Sequence, residues 1–180
     1  MLHLKNIAKA NPKTAEQYQL TRNFGVEWLF SEDGKNWYEE QKNFAPDTIK
    51  IAYLPSGQVF AVEKDVTGLN PEGMSVLELP DITANRRIDD SGFWFYRAGD
   101  ISYDYRLKAE VEREDRIKNA GSQMYDLEQD LLLSLISDRD KEKLKQARLY
   151  VRALRNLDLT TVTDKTSFNA IQWPQAPDLI

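Results

Sequence analysis

The chain has 180 residues, a formal net charge of −5 and no cysteine. The charge is uneven: residues 1–104 carry 11 Lys and Arg against 16 Asp and Glu, and residues 105–180 carry 13 of each. An acidic first half excludes the basic stripe of a nucleic-acid binder, the lack of cysteine excludes disulfides and thiol chemistry, and no apolar run is long enough to span a membrane.

The start, Met1-Leu2-His3-Leu4-Lys5, lacks the apolar core of a signal peptide, so a protein that stays soluble in a cytoplasm is expected. Residues 1–7 alternate weakly and read as a short strand. Asn11-Pro12 has the form of an N-cap followed by proline at the first helical position, which predicts a helix over 12–23 closed by Gly25. Residues 26–30 read as a strand entering the turn Ser31-Glu32-Asp33-Gly34, and 36–44 fit strand or helix equally. The strongest hairpin signal is 48–54, then Pro55-Ser56-Gly57, then 58–63. Asn70-Pro71-Glu72-Gly73 is a turn, 76–79 a strand stopped by Pro80, 81–92 a polar loop, and 93–97 with 101–105 a second hairpin about Ala98-Gly99-Asp100.

From residue 104 the period changes. Ile117, Ala120, Met124, Leu127, Leu131 and Leu135 step by three and four residues, as do Leu144, Ala147, Val151, Leu154 and Leu157, which puts each set on one helix face. Ser137 suits the N-cap of the second helix, with Asp138 and Asp140 at its positive end. An antiparallel helical hairpin with a leucine seam is the plain reading; a coiled coil between chains is the sharper one. The stretch 106–119 is polar nearly all round, as in a helix that bridges solvent. One helix over 104–136 would be roughly 50 Å long, so this arm either projects or breaks, and Gly121 is the expected break. The class is α+β: a mixed-strand head over 1–103, a helical arm and hairpin over 104–157, and an extended Trp-Pro tail over 158–180.

Catalytic groups do not converge in this sequence. His3 is the one histidine, so neither a histidine metal site nor a catalytic triad can be built within one chain. Neither a P-loop nor a dinucleotide glycine motif is present. Residues 31–36 resemble a calcium loop faintly, but Lys35 and the missing distal glutamate favour a turn. Asp89-Asp90 and Asp138/Asp140 read as solvated or capping acids rather than a hydrolase pair. What stands out is aromatic: Trp28, Phe30, Trp37 and Tyr38, then Phe93, Trp94, Phe95 and Tyr96. A strand alternates sides, so two of the last four face away from the other two. One of those faces is either partner surface or the second covered face of a two-sided sheet.

Several segments also resemble tail fibre assembly proteins of Mu-like bacteriophages and prophages. They are Met1-Leu2-His3-Leu4-Lys5-Asn6-Ile7, Asn11-Pro12-Lys13-Thr14, Glu16-Gln17-Tyr18-Gln19-Leu20-Thr21, residues 31–44, Asn70-Pro71-Glu72-Gly73 and residues 80–87. The ending, Leu149-Tyr150 followed by Trp173-Pro174 and Pro177, is similar to the wider family. The resemblance implies a chaperone, without ATP, cofactor or metal, that helps the receptor-binding C-terminal tip of a trimeric tail fibre fold and assemble. It also implies that the protein stays on the fibre tip in the virion and takes part in binding host lipopolysaccharide. On this reading Trp28, Phe30, Trp37, Tyr38, Trp94 and Tyr96 are the candidate fibre anchors. Met124, Leu127, Leu131, Leu135, Leu144, Val151 and Leu154 form the candidate helical seam. The alternatives are a saccharide-binding tip adhesin and a structural oligomer joined through that seam.

Overall fold

The computed structural model describes residues 1–178. It divides into one unit over Met1–Tyr103 and another over Asp104–Ile180, and the class is α+β. In the first unit, β1 (His3–Ala10), β2 (Trp28–Phe30), β3 (Thr48–Tyr53), β4 (Val59–Glu63) and β5 (Met74–Pro80) form an antiparallel sheet in the order β2-β1-β5-β3-β4. A separate ribbon pairs β6 (Trp94–Arg97) with β7 (Asp100–Tyr103) through a tight turn in which Ala98 and Gly99 both have positive φ.

Strand β3 lies inside the sheet, between β5 and β4. Its alternation sends Ile49, Ile51 and Tyr53 to one face, where they meet Val59, Leu79 and Ile88 under Trp94, Tyr96 and Ile101. Ala52 faces the other side, with Leu4, Ile7, Leu29, Trp37, Phe44 and Val76. The sheet is therefore covered on both faces, which answers where the aromatic ribbon goes.

Strand β1 has to break its alternation to join this core. Leu4 and Ile7 are three apart, and a regular strand would point them to opposite faces. A register shift between them, with Asn6 in the left-handed region at φ 47, turns both inward. The bulge is held by Asn6 N–H donating to Ser75 Oγ at 3.0 Å and by Asn6 Nδ2 donating to Glu32 at 2.5 Å.

Two charged residues lie on the otherwise apolar face. Lys50 is buried, and its ammonium donates to the carbonyls of Ala45, Thr48 (3.2 Å) and Lys64 (2.9 Å). Glu78, opposite it on β5, accepts from Leu2 N–H, Ala45 N–H and Thr48 Oγ1 at 2.7–2.9 Å. Buried charge is tolerated when it is hydrogen-bonded, and here it ties the turn at 45–48 and the chain start to the sheet. Burial opposes ionisation of Glu78, but its donors outweigh that and hold its carboxyl below the ordinary carboxylate range.

Helix α1 (Ala15–Phe24) starts three residues later than Asn11-Pro12 suggests, because Thr14 is the cap and accepts from Gln17 N–H at 3.1 Å. It ends at Gly25 in the left-handed region, as expected. Residues 36–44, open to either reading, hold the short helix α2 (Trp37–Glu40), capped by Asn36, and then a 3₁₀ turn. Pro80 is the last residue of β5 rather than a stop before it.

In the second unit, α3 (Tyr105–Leu132) is one unbroken helix of 28 residues, about 42 Å long. Gly121 does not break it. Its Cβ position meets nothing within 4 Å, and the flanking Ala120 and Met124 are buried against Leu144, Ala147 and Val151 of α4 (Asp138–Arg155). That packing exceeds the cost of one glycine. The seam is shorter than the periodicity implies. Met124, Leu144, Val151 and Leu154 are buried and Leu127 half-buried, but Leu131 and Leu135 are exposed. Residues 138–143 of α4 are all charged, so its first turns offer these leucines no apolar partner.

The stretch 158–180 is not simply extended. Leu159 and Val162 bury Ala109 of α3, and α5 (Lys165–Asn169) sets Phe168 against Tyr105 at 6.0 Å between ring centres. Trp173 packs on the α3–α4 cluster with the Arg116 guanidinium 4.5 Å from its ring centre. The polar stretch 106–119 thus has a covered side, supplied from the far end of the chain. Leu179 and Ile180, at the end of the predicted tail, lie outside the described residues.

Gly121→Ala is expected to raise the unfolding free energy by up to about 1 kcal/mol, read from urea denaturation. For Glu78 the folded-state carboxyl titrates below its unfolded value, so its stabilisation is fully present above the ordinary carboxylate range and is lost as pH falls through the folded value. Between about pH 7 and pH 3.5, wild type is expected to lose more stability than Glu78→Gln. Equal losses would show that Glu78 contributes nothing to the acid limb.

Candidate functional site

Among the described residues no group of His, Cys, Asp and Glu is placed to hold a metal ion, and no helix is long and apolar enough to cross a membrane. The turn at 31–34 satisfies its own acid. Asp33 accepts from Ser31 Oγ at 2.5 Å and pairs with Lys35 at 2.9 Å, which together hold its carboxyl at about 2. His3 Nε2 is 2.7 Å from the Tyr53 hydroxyl. Burial, then the nearby Lys5 charge, push its pKa below the ordinary histidine value.

The aromatic residues divide into three groups. Phe30 and Trp37 are core; Trp37 is 1% exposed and packs edge-on to Phe44. Neither can present its ring to a partner in the folded head, which removes both from the expected anchors. Trp94 and Tyr96 face inward on the ribbon and are half-buried. Tyr96 packs at a tilt against Tyr53 (ring centres 4.9 Å apart) and meets His3 edge-on, while Trp94 meets Tyr103 edge-on. Their main role is to cover the sheet. Phe95, on the opposite face of β6, is also buried, with Arg97 4.0 Å over its ring.

Trp28 and Tyr38 form the third group and are brought together. The Trp28 indole N–H lies within reach of Thr21 Oγ1 (2.9 Å) and the Gln17 carbonyl (3.2 Å), which fixes the ring against α1. Tyr38, the first residue after Trp37 in α2, approaches it edge-on at 6.0 Å and is 45% exposed. Gln17 Nε2 donates to Glu39 at 3.2 Å and links the two helices. Tyr38 also lines a groove of about 710 Å³ with Phe44, Lys42, Lys64 and Asp65.

One residue was not picked out from the sequence. Strand β4 ends the sheet on its side, and its register with β3 slips so that Ala52 faces Ala61 while Tyr53 faces Val59. Phe60 is the extra residue of that bulge and is 59% exposed. Bulges on edge strands re-aim side chains. The signal was present: Val59 and Phe60 are adjacent and apolar, which strict alternation cannot bury together.

The comparisons with known proteins agree with one another. The family described as Caudovirales tail fibre assembly protein, lambda gpK, matches residues 39–178. The chain is 44% identical to tail fiber assembly protein U' of Escherichia phage Mu, with 99% of this chain and 100% of that protein aligned. It is 43% identical to tail fiber assembly protein U of the same phage, over 99% and 100%. It is 42% identical to the probable tail fiber assembly protein of Escherichia phage P2, over 98% and 99%. Matches of this depth along nearly the whole length show that the chain belongs to the tail fibre assembly protein family.

Proposed function

We propose that this chain is a binding chaperone for a phage tail fibre, acting on the C-terminal tip of the trimer while that tip is still incomplete. The observation that carries the reading is the exposed aromatic surface of a rigid head, with Tyr38 held beside Trp28 and Phe60 set on the bulged edge strand β4. Unfinished fibre chains expose apolar faces and unpaired strand edges, which aggregate unless covered. A head whose own sheet is covered on both faces, and which keeps aromatic side chains at its rim, can shield such a surface without unfolding. Work of this kind needs neither a cofactor nor a reacting group, and the relatives are named for assembly rather than for a reaction.

The reading extends to retention. The protein acts in the host cytoplasm during assembly, then stays on the fibre tip in the virion and adds to lipopolysaccharide binding. The groove beside Tyr38 supports this second role, since its aromatic rings with Lys42 suit a phosphorylated saccharide.

Co-expression of the fibre tip with and without this protein tests the chaperone role. Soluble trimeric fibre is expected only with it, and equal yields of receptor-competent trimer in its absence would reject the reading. Tyr38→Ala with Phe60→Ala is expected to lower fibre yield with stability within about 1 kcal/mol of wild type, as for surface changes. Trp37→Ala is expected to cost about 3–5 kcal/mol of folding stability. Lipopolysaccharide pull-down of the fibre complex from Tyr38→Ala tests the second role, and undiminished capture would remove the groove from it.

A further inference from the structure

Helix α1 is placed by polar bonds. Its apolar residues are exposed or half-buried, with Phe24 77% and Tyr18 60% exposed, and its one buried residue is Gln17. A surface helix is ordinarily held by an apolar stripe against the core, and α1 lacks one. A buried amide needs partners at both of its ends. Gln17 Oε1 accepts from Lys13 N–H at 2.8 Å, and Gln17 Nε2 donates to Glu39 of α2 at 3.2 Å. The first bond is local, the reach-back of a glutamine at the third helical position behind the Thr14 cap. The second is not. Among the described residues it is the one hydrogen bond between α1 and α2. A glutamate at position 17 would serve the local bond equally well and would suit the positive end of the helix better. Only the donation to Glu39 requires the amide.

What α1 holds is Trp28. That residue opens the three-residue edge strand β2, and its indole N–H lies against Thr21 Oγ1 and the Gln17 carbonyl. Lys13 ties the chain ahead of α1 to the Gly34 carbonyl at 2.9 Å, but the support under the Trp28 ring is the helix itself. Tyr38 is fixed from the other side, because α2 is anchored by its buried Trp37. The Gln17–Glu39 bond therefore joins the support of one ring to the support of the other. A preformed pair of rings loses less freedom on binding than a loose pair. We infer that Gln17 is a positioning residue for fibre recognition, which touches no partner itself but sets the Trp28 ring against Tyr38 through its bond to Glu39. The inference rests on the reading that Tyr38 contacts the fibre.

The test uses the full chain and the C-terminal segment of the fibre from the same phage, purified as a trimer. Affinity is read by calorimetry, and the Trp28 indole N–H resonance by NMR, assigned with Trp28→Phe. Gln17→Glu keeps the acceptor for Lys13 N–H and sets a second carboxylate against Glu39. It is expected to weaken fibre binding about tenfold and to shift the Trp28 resonance, with an unchanged thermal midpoint. Adding Glu39→Gln rebuilds the bond with its direction reversed, and is expected to restore affinity to within about twofold of wild type, together with the resonance. Glu39→Gln alone keeps an acceptor for Gln17 and is expected to bind as wild type. Glu39→Ala removes the same bond from its exposed end, where folding is not at stake, and is expected to weaken binding as Gln17→Glu does. Wild-type affinity in either Gln17→Glu or Glu39→Ala overturns the inference. So does a loss in Gln17→Glu that Glu39→Gln does not restore, or one that follows a lowered midpoint and assigns Gln17 to stability alone. Weak binding by Glu39→Gln alone makes Glu39 a direct contact and overturns it too. In each of these cases the fibre reading stands, since wild type still binds. No binding by wild type, or full binding by Tyr38→Ala, removes the reading on which the inference rests.

Discussion

The head depends on the two-sided burial of strand β3. A strand inside an antiparallel sheet can leave one face to solvent, but here Ile49, Ile51 and Tyr53 are apolar on one side and Ala52 shares the other with Leu4, Ile7 and Val76. Both faces must be covered. Residues 37–44 with Val66 and Leu69 cover one, and the β6–β7 ribbon with Ile88 covers the other. That demand uses several of the aromatic side chains. Trp37, Phe44 and much of Trp94 and Tyr96 act as lids on the sheet, so the surface available for recognition is what remains at the rim.

Burying both faces also explains the polar network around Lys50 and Glu78. Each charge holds backbone groups of a segment that crosses the covered face, and Ala45 is gripped from both sides, by its N–H through Glu78 and by its carbonyl through Lys50. The turn that leads into β3 is thereby fixed with the sheet. This is a rigid scaffold beneath the rim that carries Tyr38, and Phe60 stands on the neighbouring edge strand by virtue of its bulge.

The second unit meets a different constraint. Helix α3 is too polar to stand on propensity alone, and it is stabilised along its length by two different segments. Its later part packs on α4, and its earlier part on Leu159, Val162 and Phe168 from beyond α4. The return of the chain turns what would be a bare arm into the spine of a small folded unit. The spine outruns its cover at the hairpin turn, where the charged start of α4 leaves the leucines exposed.

Local chemistry made much of the fold legible. The hairpin over 48–63 follows from alternation and a Pro-Ser-Gly turn, the end of α1 from Gly25, and the hairpin of α3 and α4 from a three-four leucine spacing with Ser137 as cap. These are signals carried by residues within a few positions of one another. The family was legible too, because its motifs are contiguous. The tertiary structure decided the rest. Whether Trp37 or Tyr38 is buried depends on which side of a single helical turn meets the sheet, and whether Leu131 is seam or surface depends on charged residues in another helix. The tail folds back because α3 offers Ala109 and Ile117 along a side that is unremarkable until Leu159, Val162 and Trp173 reach it. Periodicity specifies which residues share a face, but burial of that face is a long-range contact set by the geometry of other segments.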